Sequence, residues 1–238
     1  MDERSGSNGS LAELPSAYDR WRDSTLGRIT DEIERKLILD LIGDVSGRTA
    51  LDVGCGDGEL AVELWKRGAK VTGIDVSARM IESARERARQ HGAEVTFKVA
   101  TAKDLPFAPD AFDVVVAVTV LCFVKDAVPV LRETVRVLRP GGRLVIGELG
   151  RWNTWAAERR IRGWFGNSLW RQARFRTADE LRHVADGAGL VVEALQGAIY
   201  YPSCGLAARL FRPVDRHIGR LTTFGAAFLA LAATRPAE

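Results

Sequence analysis

The 238-residue chain is poor in several residue types, and each scarcity excludes something. Cysteine occurs three times, at Cys55, Cys122 and Cys204, with no Cys-x-x-Cys pair. That spacing offers neither a disulfide framework nor a zinc site, so no metal is expected. A chain without such staples belongs by default in a reducing compartment, and a cytoplasmic location is expected. The longest apolar run, residues 224–233, has ten residues, against the roughly 20 that a membrane-spanning helix needs. The start, MDERSGSNGSLAELPS, has no apolar stretch of the secretory kind. The net charge of +3 is too small to argue for nucleic acid as a partner. Histidine is confined to His91, His183 and His217, so obvious general bases are few. No internal repeat is present.

What remains is an ordinary globular composition, 46% hydrophobic and 27% charged, enough for one domain with a sizeable core. Ile33, Leu37, Ile38, Leu41 and Ile42 share one face of a helix that Gly43 ends. A buried strand follows at 49–53, a helix at 59–66 and a second strand at 70–75. Ser77 caps a helix running to about Gln90. Further strands read at 95–99 and 112–118, the latter almost wholly apolar, as a strand covered on both faces must be. A helix over 125–138, a Pro140-Gly141-Gly142 turn and a strand over 143–149 extend the series. This alternation predicts an α/β fold: a parallel sheet with helices on both faces and right-handed crossovers.

Beyond residue 149 the pattern changes. Residues 151–182 hold eight arginines against three acids, and four of the six tryptophans. Thr177 caps another helix, to about residue 188. Two strand-like runs follow, at 190–200 and 224–234, with His217 in a loop between them.

The first strand runs into ALDVGCGDGEL, residues 50–60, with glycines at 54, 56 and 58. A dinucleotide fold wants its third glycine one position later, where Glu59 stands, and the Lys-Ser/Thr of a P-loop is missing. Asp52 precedes the turn. A carboxylate there meets pyrophosphate badly and suits a ligand that presents an ammonium. Asp75 closes the second strand, where ligands of open α/β sheets bind and where an acid can accept both hydroxyls of a ribose.

Together with VTGIDVSARMIESAR (71–85), DLPF (104–107), FDVVVAVTVLCFV (112–124) and RVLRPGGRLVIGEL (136–149), the glycine turn resembles the class I S-adenosylmethionine-dependent methyltransferases. The branch is type 11, which includes ubiquinone and menaquinone biosynthesis methyltransferases. The similarity is strong from Ala50 to Leu149. It implies a Rossmann-like, doubly wound, mostly parallel seven-stranded sheet with an antiparallel last strand, an N-terminal helical cover and a lid insertion. A single domain is then expected: a flexible tail at 1–16, the cover at 17–44, a cofactor-binding core at 45–149, a lid and substrate segment at 150–189, and C-terminal strands at 190–238.

The resemblance also implies roles for S-adenosylmethionine binding, with S-adenosylhomocysteine as the product. Asp52 and the backbone at Gly54, Cys55 and Gly56 hold the amino-acid end. Asp75 takes the ribose diol, Val76 and Met80 lie against the adenine, and Ala102 offers it a backbone N–H. Ala117 and Val118 flank the methionine part. Relatives carry an acid just before that alanine; Thr101 stands there instead.

Transfer of a methyl from a sulfonium is an in-line displacement that depends chiefly on positioning, and no catalytic residue is assigned. Methyltransferases acting on exocyclic amines of nucleic-acid bases often carry an Asn/Asp-Pro-Pro-aromatic tetrapeptide after the fourth strand; here it reads Val-Thr-Val-Leu. The expected acceptor is a small metabolite, aromatic or apolar, with room for a negative charge. Its candidate contacts are Tyr18, Trp21, Thr119, Cys122, Phe123, Glu148, Trp152 and Arg174. The Arg/Trp-rich segment is expected to wall the acceptor with Trp152, Trp155 and Trp164 and to meet its charge with Arg171, Arg174 or Arg176. An RNA methyltransferase, a cofactor-binding protein without catalysis, and membrane-surface association through this segment are the alternatives. The oligomeric state is not encoded in any feature of the chain.

Overall fold

The computed structural model describes Trp21 and residues 23–237. The expected tail and Tyr18 lie outside the described residues. Helix α1, Thr25–Ile42, starts at Ser24, whose hydroxyl accepts the Gly27 N–H at 3.0 Å, and ends at Gly43. The core then alternates: β1 Thr49–Val53, α2 Glu59–Lys66, β2 Lys70–Asp75, α3 Ala78–Gln90, β3 Thr96–Val99, β4 Phe112–Val118, a 3-10 turn Leu121–Phe123, α4 Val128–Val137 and β5 Leu138–Leu149. The C-terminal third adds α5 Thr154–Trp164, α6 Ser168–Gln172, α7 Ala178–Asp186, β6 Val191–Ala198, α8 Gly205–Leu221 and β7 Phe228–Thr234.

The seven strands form one sheet in the order β3-β2-β1-β4-β5-β7-β6, with β7 antiparallel to both neighbours and the other pairs parallel. The expected doubly wound sheet with its reversed last strand is therefore present. Its strands are buried on both faces because alternate side chains feed two apolar layers. Ala50, Val71, Val114, Val116 and Val145 join Ile38 of α1, Leu64 of α2, Ile81 of α3 and Ala208 of α8. Leu51, Ile74, Val115, Leu144 and Ile146 join Leu131 of α4 and Leu181 of α7.

Three expectations are corrected. The helix expected over 125–138 begins only at Val128, whose N–H is taken by the Asp126 carboxylate at 3.0 Å. β5 begins at Leu138, which pairs with Phe112; the Pro140–Gly142 turn is a bulge inside the strand, after which Arg143 pairs with Val114. The stretch holding His217 is not a loop but helix α8, with Pro213 inside it. Asp215 of that helix is buried and accepts the N–H groups of Ile199 and Tyr200 at 3.0 and 2.9 Å, which pins α8 to the end of β6. Among the described residues, no helix is long and apolar enough to cross a membrane.

Candidate active site

Strand order reverses between β1 and β4, and at such a switch point the loops leaving the carboxyl ends part and form a crevice. The glycine turn lies there. Gly54 has φ +69°, and a side chain on it would meet Val120 Cγ2 at 2.5 Å; Gly58, at φ +78°, would meet Ala84 Cβ at 2.8 Å. These two glycines let the turn close against β4 and α3. Gly56, by contrast, has φ +52°, and a Cβ placed on it would find nothing within 4 Å, so its backbone faces open space. Its N–H donates to Asp75 Oδ2 at 3.1 Å, while Ser77 N–H donates to Asp75 Oδ1 at 2.8 Å. The acid at the end of β2 is thus held from both sides, by the glycine turn after β1 and by its own loop, with lone pairs to spare.

Asp52 is 2% exposed, and its Oδ2 has no hydrogen-bond partner. Burial first, then Asp75 and Asp57, push its carboxyl up to about 7. Asp57 is already paired with Arg87 at 2.5 Å, which leaves Asp52 and Asp75 as the acids at the turn that face the cavity without a basic partner among the described residues. The same burial pushes the Cys55 thiol up, so it is no nucleophile.

In front of the turn lies a cavity of about 1360 Å³, larger than the 300–1,000 Å³ typical of one ligand. The structure brings Asp52, Gly54, Cys55, Gly56, Asp75 and Met80 together on its floor. Val118 and Thr119, at the end of β4, and Trp21 and Phe123 line it too. Thr119 sits at φ +53°, held by its N–H to Gly147 O at 2.7 Å. Val76, Thr101 and Ala102 fall beside the cavity rather than in its wall, at the same carboxyl edge; Val76 is 66% exposed. Ala117 is buried behind Val118.

Among the described residues, Glu148, Cys122, Trp152 and Arg174 are not brought to the cavity, and each has a physical reason. Glu148 is fully buried, with Oε2 at 3.4 Å from the Arg176 guanidinium. Burial outweighs that arginine and holds the Glu148 carboxyl up at about 7. It fastens the segment after β5 to the sheet and touches no ligand space. Cys122 is equally buried; its carbonyl accepts the Arg174 N–H at 2.8 Å, which leaves the Arg174 side chain pointing outward, exposed. Trp152 and Trp164 are 60% and 80% exposed. Trp155 does line the cavity, with its indole N–H donated to Tyr201 O at 2.6 Å. Three further lining residues, Glu34, Arg159 and Trp170, escape a reading of the sequence. Their only sequence signal is helical spacing. Glu34 shares the α1 face of Ile38, and Arg159 follows Trp155 by four positions.

Fold and site together define a Rossmann-like nucleotide-binding enzyme with two acids beside its glycine turn. Residues 51–146 match the family model described as a methyltransferase domain. The chain is 34% identical over 204 residues to a ubiquinone biosynthesis O-methyltransferase of Aeromonas salmonicida, covering 81% of this chain and 85% of that protein. It is 43% identical over 126 residues to methyltransferase GfsG of Streptomyces halstedii, but spans only 43% of that protein's length. A solved S-adenosylmethionine-dependent methyltransferase from Thermotoga maritima superimposes with a TM-score of 0.71, covering 94% of this chain and 98% of that one at 24% identity. The chain belongs to the class I S-adenosylmethionine-dependent methyltransferases, and S-adenosylmethionine is its methyl donor.

The residues present fit that donor. The partnerless Asp52 oxygen and the open space over Gly56 suit an ammonium and its backbone neighbours, and the start of α2 favours a carboxylate.

Proposed function

We propose that this enzyme methylates a small aromatic or apolar acceptor related to quinones and their hydroxylated precursors. The reading is carried by one observation: opposite the glycine turn, the cavity is walled by Trp21, Phe123, Leu149, Trp155 and Trp170. Such a surface buries a ring or an isoprenoid-like body. The ubiquinone-type relatives support it. In this reading Asp52 and the Gly54–Gly56 backbone hold the donor's amino-acid end, and Asp75 holds its ribose. Val76, Met80 and Ala102 flank its adenine. Thr101 supplies one uncharged hydrogen bond where relatives use an acid, weaker than a charge-assisted one. When bound, the donor supplies an activated methyl on a positively charged sulfur. The protein's own part is to fix acceptor and donor in line and exclude water, which can lower the barrier by roughly 7–11 kcal/mol. Of the segment 150–189, helix α5 and Trp170 form the acceptor's wall, while the rest is fixed to the sheet.

The test is a metabolite-extract incubation with isotopically labelled methyl donor, followed by mass spectrometry. An aromatic or quinone-like product carrying the label is expected. Label appearing only in RNA, or in no product from a protein that binds S-adenosylhomocysteine in a calorimeter, would overturn the reading.

A further inference from the structure

Glu34 and Arg159 both line the cavity, and donor binding has no use for either. Glu34 projects from α1 on the face of Asp31 and Ile38. It makes no hydrogen bond or ion pair within 4.0 Å to another described residue. Its neighbour Arg35 is already committed, to Asp31 at 3.2 Å and to Glu59. Arg159 projects from α5, its guanidinium 5.2 Å from the Trp155 ring centroid and 4.8 Å from that of Trp170. It too has no carboxylate within 4.0 Å among the described residues. An acid and a guanidinium therefore face one cavity without closing on each other, although each is near enough to shift the other's ionisation. The gap between them opens into a cavity lined by aromatic rings, with Phe123 and Trp170 centroids 6.5 Å apart.

We propose that this gap binds and ionises the hydroxyl of a phenol-, catechol- or enol-type acceptor, with Glu34 as the general base and Arg159 as the holder of the resulting oxyanion. The acceptor O–H bond breaks, its electron pair stays on oxygen, and the proton goes to a Glu34 carboxylate oxygen. The oxyanion left beside Arg159 is the nucleophile. A protonated amine acceptor fits poorly, since it would set a second cation against Arg159. The proposal rests on the methyltransferase reading and deepens it by naming the acceptor's reacting group.

Charge balance supports the roles. Burial raises the Glu34 carboxyl to about 8; Arg159 pulls it down, while Asp31 on its own helix and Asp215 on α8 push it up. Tyr201 faces the same group, and Glu158 faces Arg159. A base titrating near the working pH is suited to a weakly acidic hydroxyl.

The full-length protein, loaded with S-adenosylhomocysteine, is titrated with 4-nitrocatechol while its phenolate absorbance is followed; turnover with catechol and 4-nitrocatechol is then compared. Wild type should bind 4-nitrocatechol as the anion. Arg159→Lys should weaken that binding at least tenfold. Glu34→Gln should lower catechol turnover roughly 10²–10⁴-fold, the usual range for a general base. The loss should be at least tenfold smaller for 4-nitrocatechol, whose hydroxyl is already ionised. Should either variant fail to fold, the wild-type profile decides: kcat/KM for catechol should climb with pH and level off above about 8, as the Glu34 carboxyl ionises. Equal losses on both probes, a flat profile, or a protein that binds S-adenosylhomocysteine but not 4-nitrocatechol would overturn the assignment of Glu34 and Arg159. Failure to bind S-adenosylhomocysteine would sink the methyltransferase reading beneath it.

Discussion

Single side chains at the glycine turn carry the sharpest consequences. Asp52 is an acid whose native value, about 7, lies above its ordinary 3.8. The folded protein then holds a proton that the unfolded chain has lost, so the stability of the ligand-free protein falls as pH rises between about 4 and 7. A ligand ammonium reverses this by favouring the ionised form. The affinity for S-adenosylhomocysteine should rise as pH climbs from 6 to 8, and Asp52→Asn should flatten that rise; calorimetry across the range in two buffers, reading the protons released, checks both. Gly54→Ala forces a methyl onto Val120 at a positive φ. It should cost about 1–3 kcal/mol of stability in urea unfolding and abolish measurable S-adenosylhomocysteine binding. Asp52 and Asp75 were legible in the sequence because a local motif places them. Glu34 and Arg159 were not: each is one charge among many on its helix, and only the packing of α1 and α5 around one cavity sets them apart.

At the scale of elements, the segment after β5 is laced to the sheet rather than draped over it. Gly150 and Arg176 form a parallel bridge, Arg176 N–H donates to Leu149 O at 2.9 Å, and Glu148 meets the Arg176 side chain. Glu148→Ala leaves Arg176, 8% exposed, without its carboxylate and should cost about 3–5 kcal/mol at pH 8, where that carboxylate is ionised. Because the Glu148 carboxyl is held near 7, Glu148→Gln should cost clearly less at pH 6; chemical denaturation of the two variants at that pH makes the comparison. Helix α7 was legible from Thr177, whose side chain and that of Glu180 form a reciprocal cap. Helix α8 was not, because Pro213 and its exposed Leu206, Leu210 and Leu221 break the inward-facing pattern. It is held instead by Asp215 and by packing on α1 and β6.

For the whole molecule, ligand binding and folding are linked. S-adenosylhomocysteine at 100 times its Kd should stabilise the fold by about 2.7 kcal/mol. At roughly 2–4 °C per kcal/mol for a chain of this size, Tm should rise by about 5–10 °C in a thermal melt, and Asp75→Ala should remove the rise. The cavity also spans more of the chain than the family model covers. Its floor comes from residues within 51–146, whereas Glu34, Trp155, Arg159 and Trp170 come from outside that range.

The sequence by itself determined the sheet, its two apolar layers and the glycine turn with its two acids, because alternation, glycine conformation and the acids at strand ends are local properties. Only the tertiary structure decided the rest of the cavity wall. It buried Glu148 and Cys122, turned Trp152 and Arg174 outward, and brought Glu34 of the first helix opposite Arg159 of the fifth. Contacts between distant helices depend on how each packs on the sheet, and no periodicity along the chain records that.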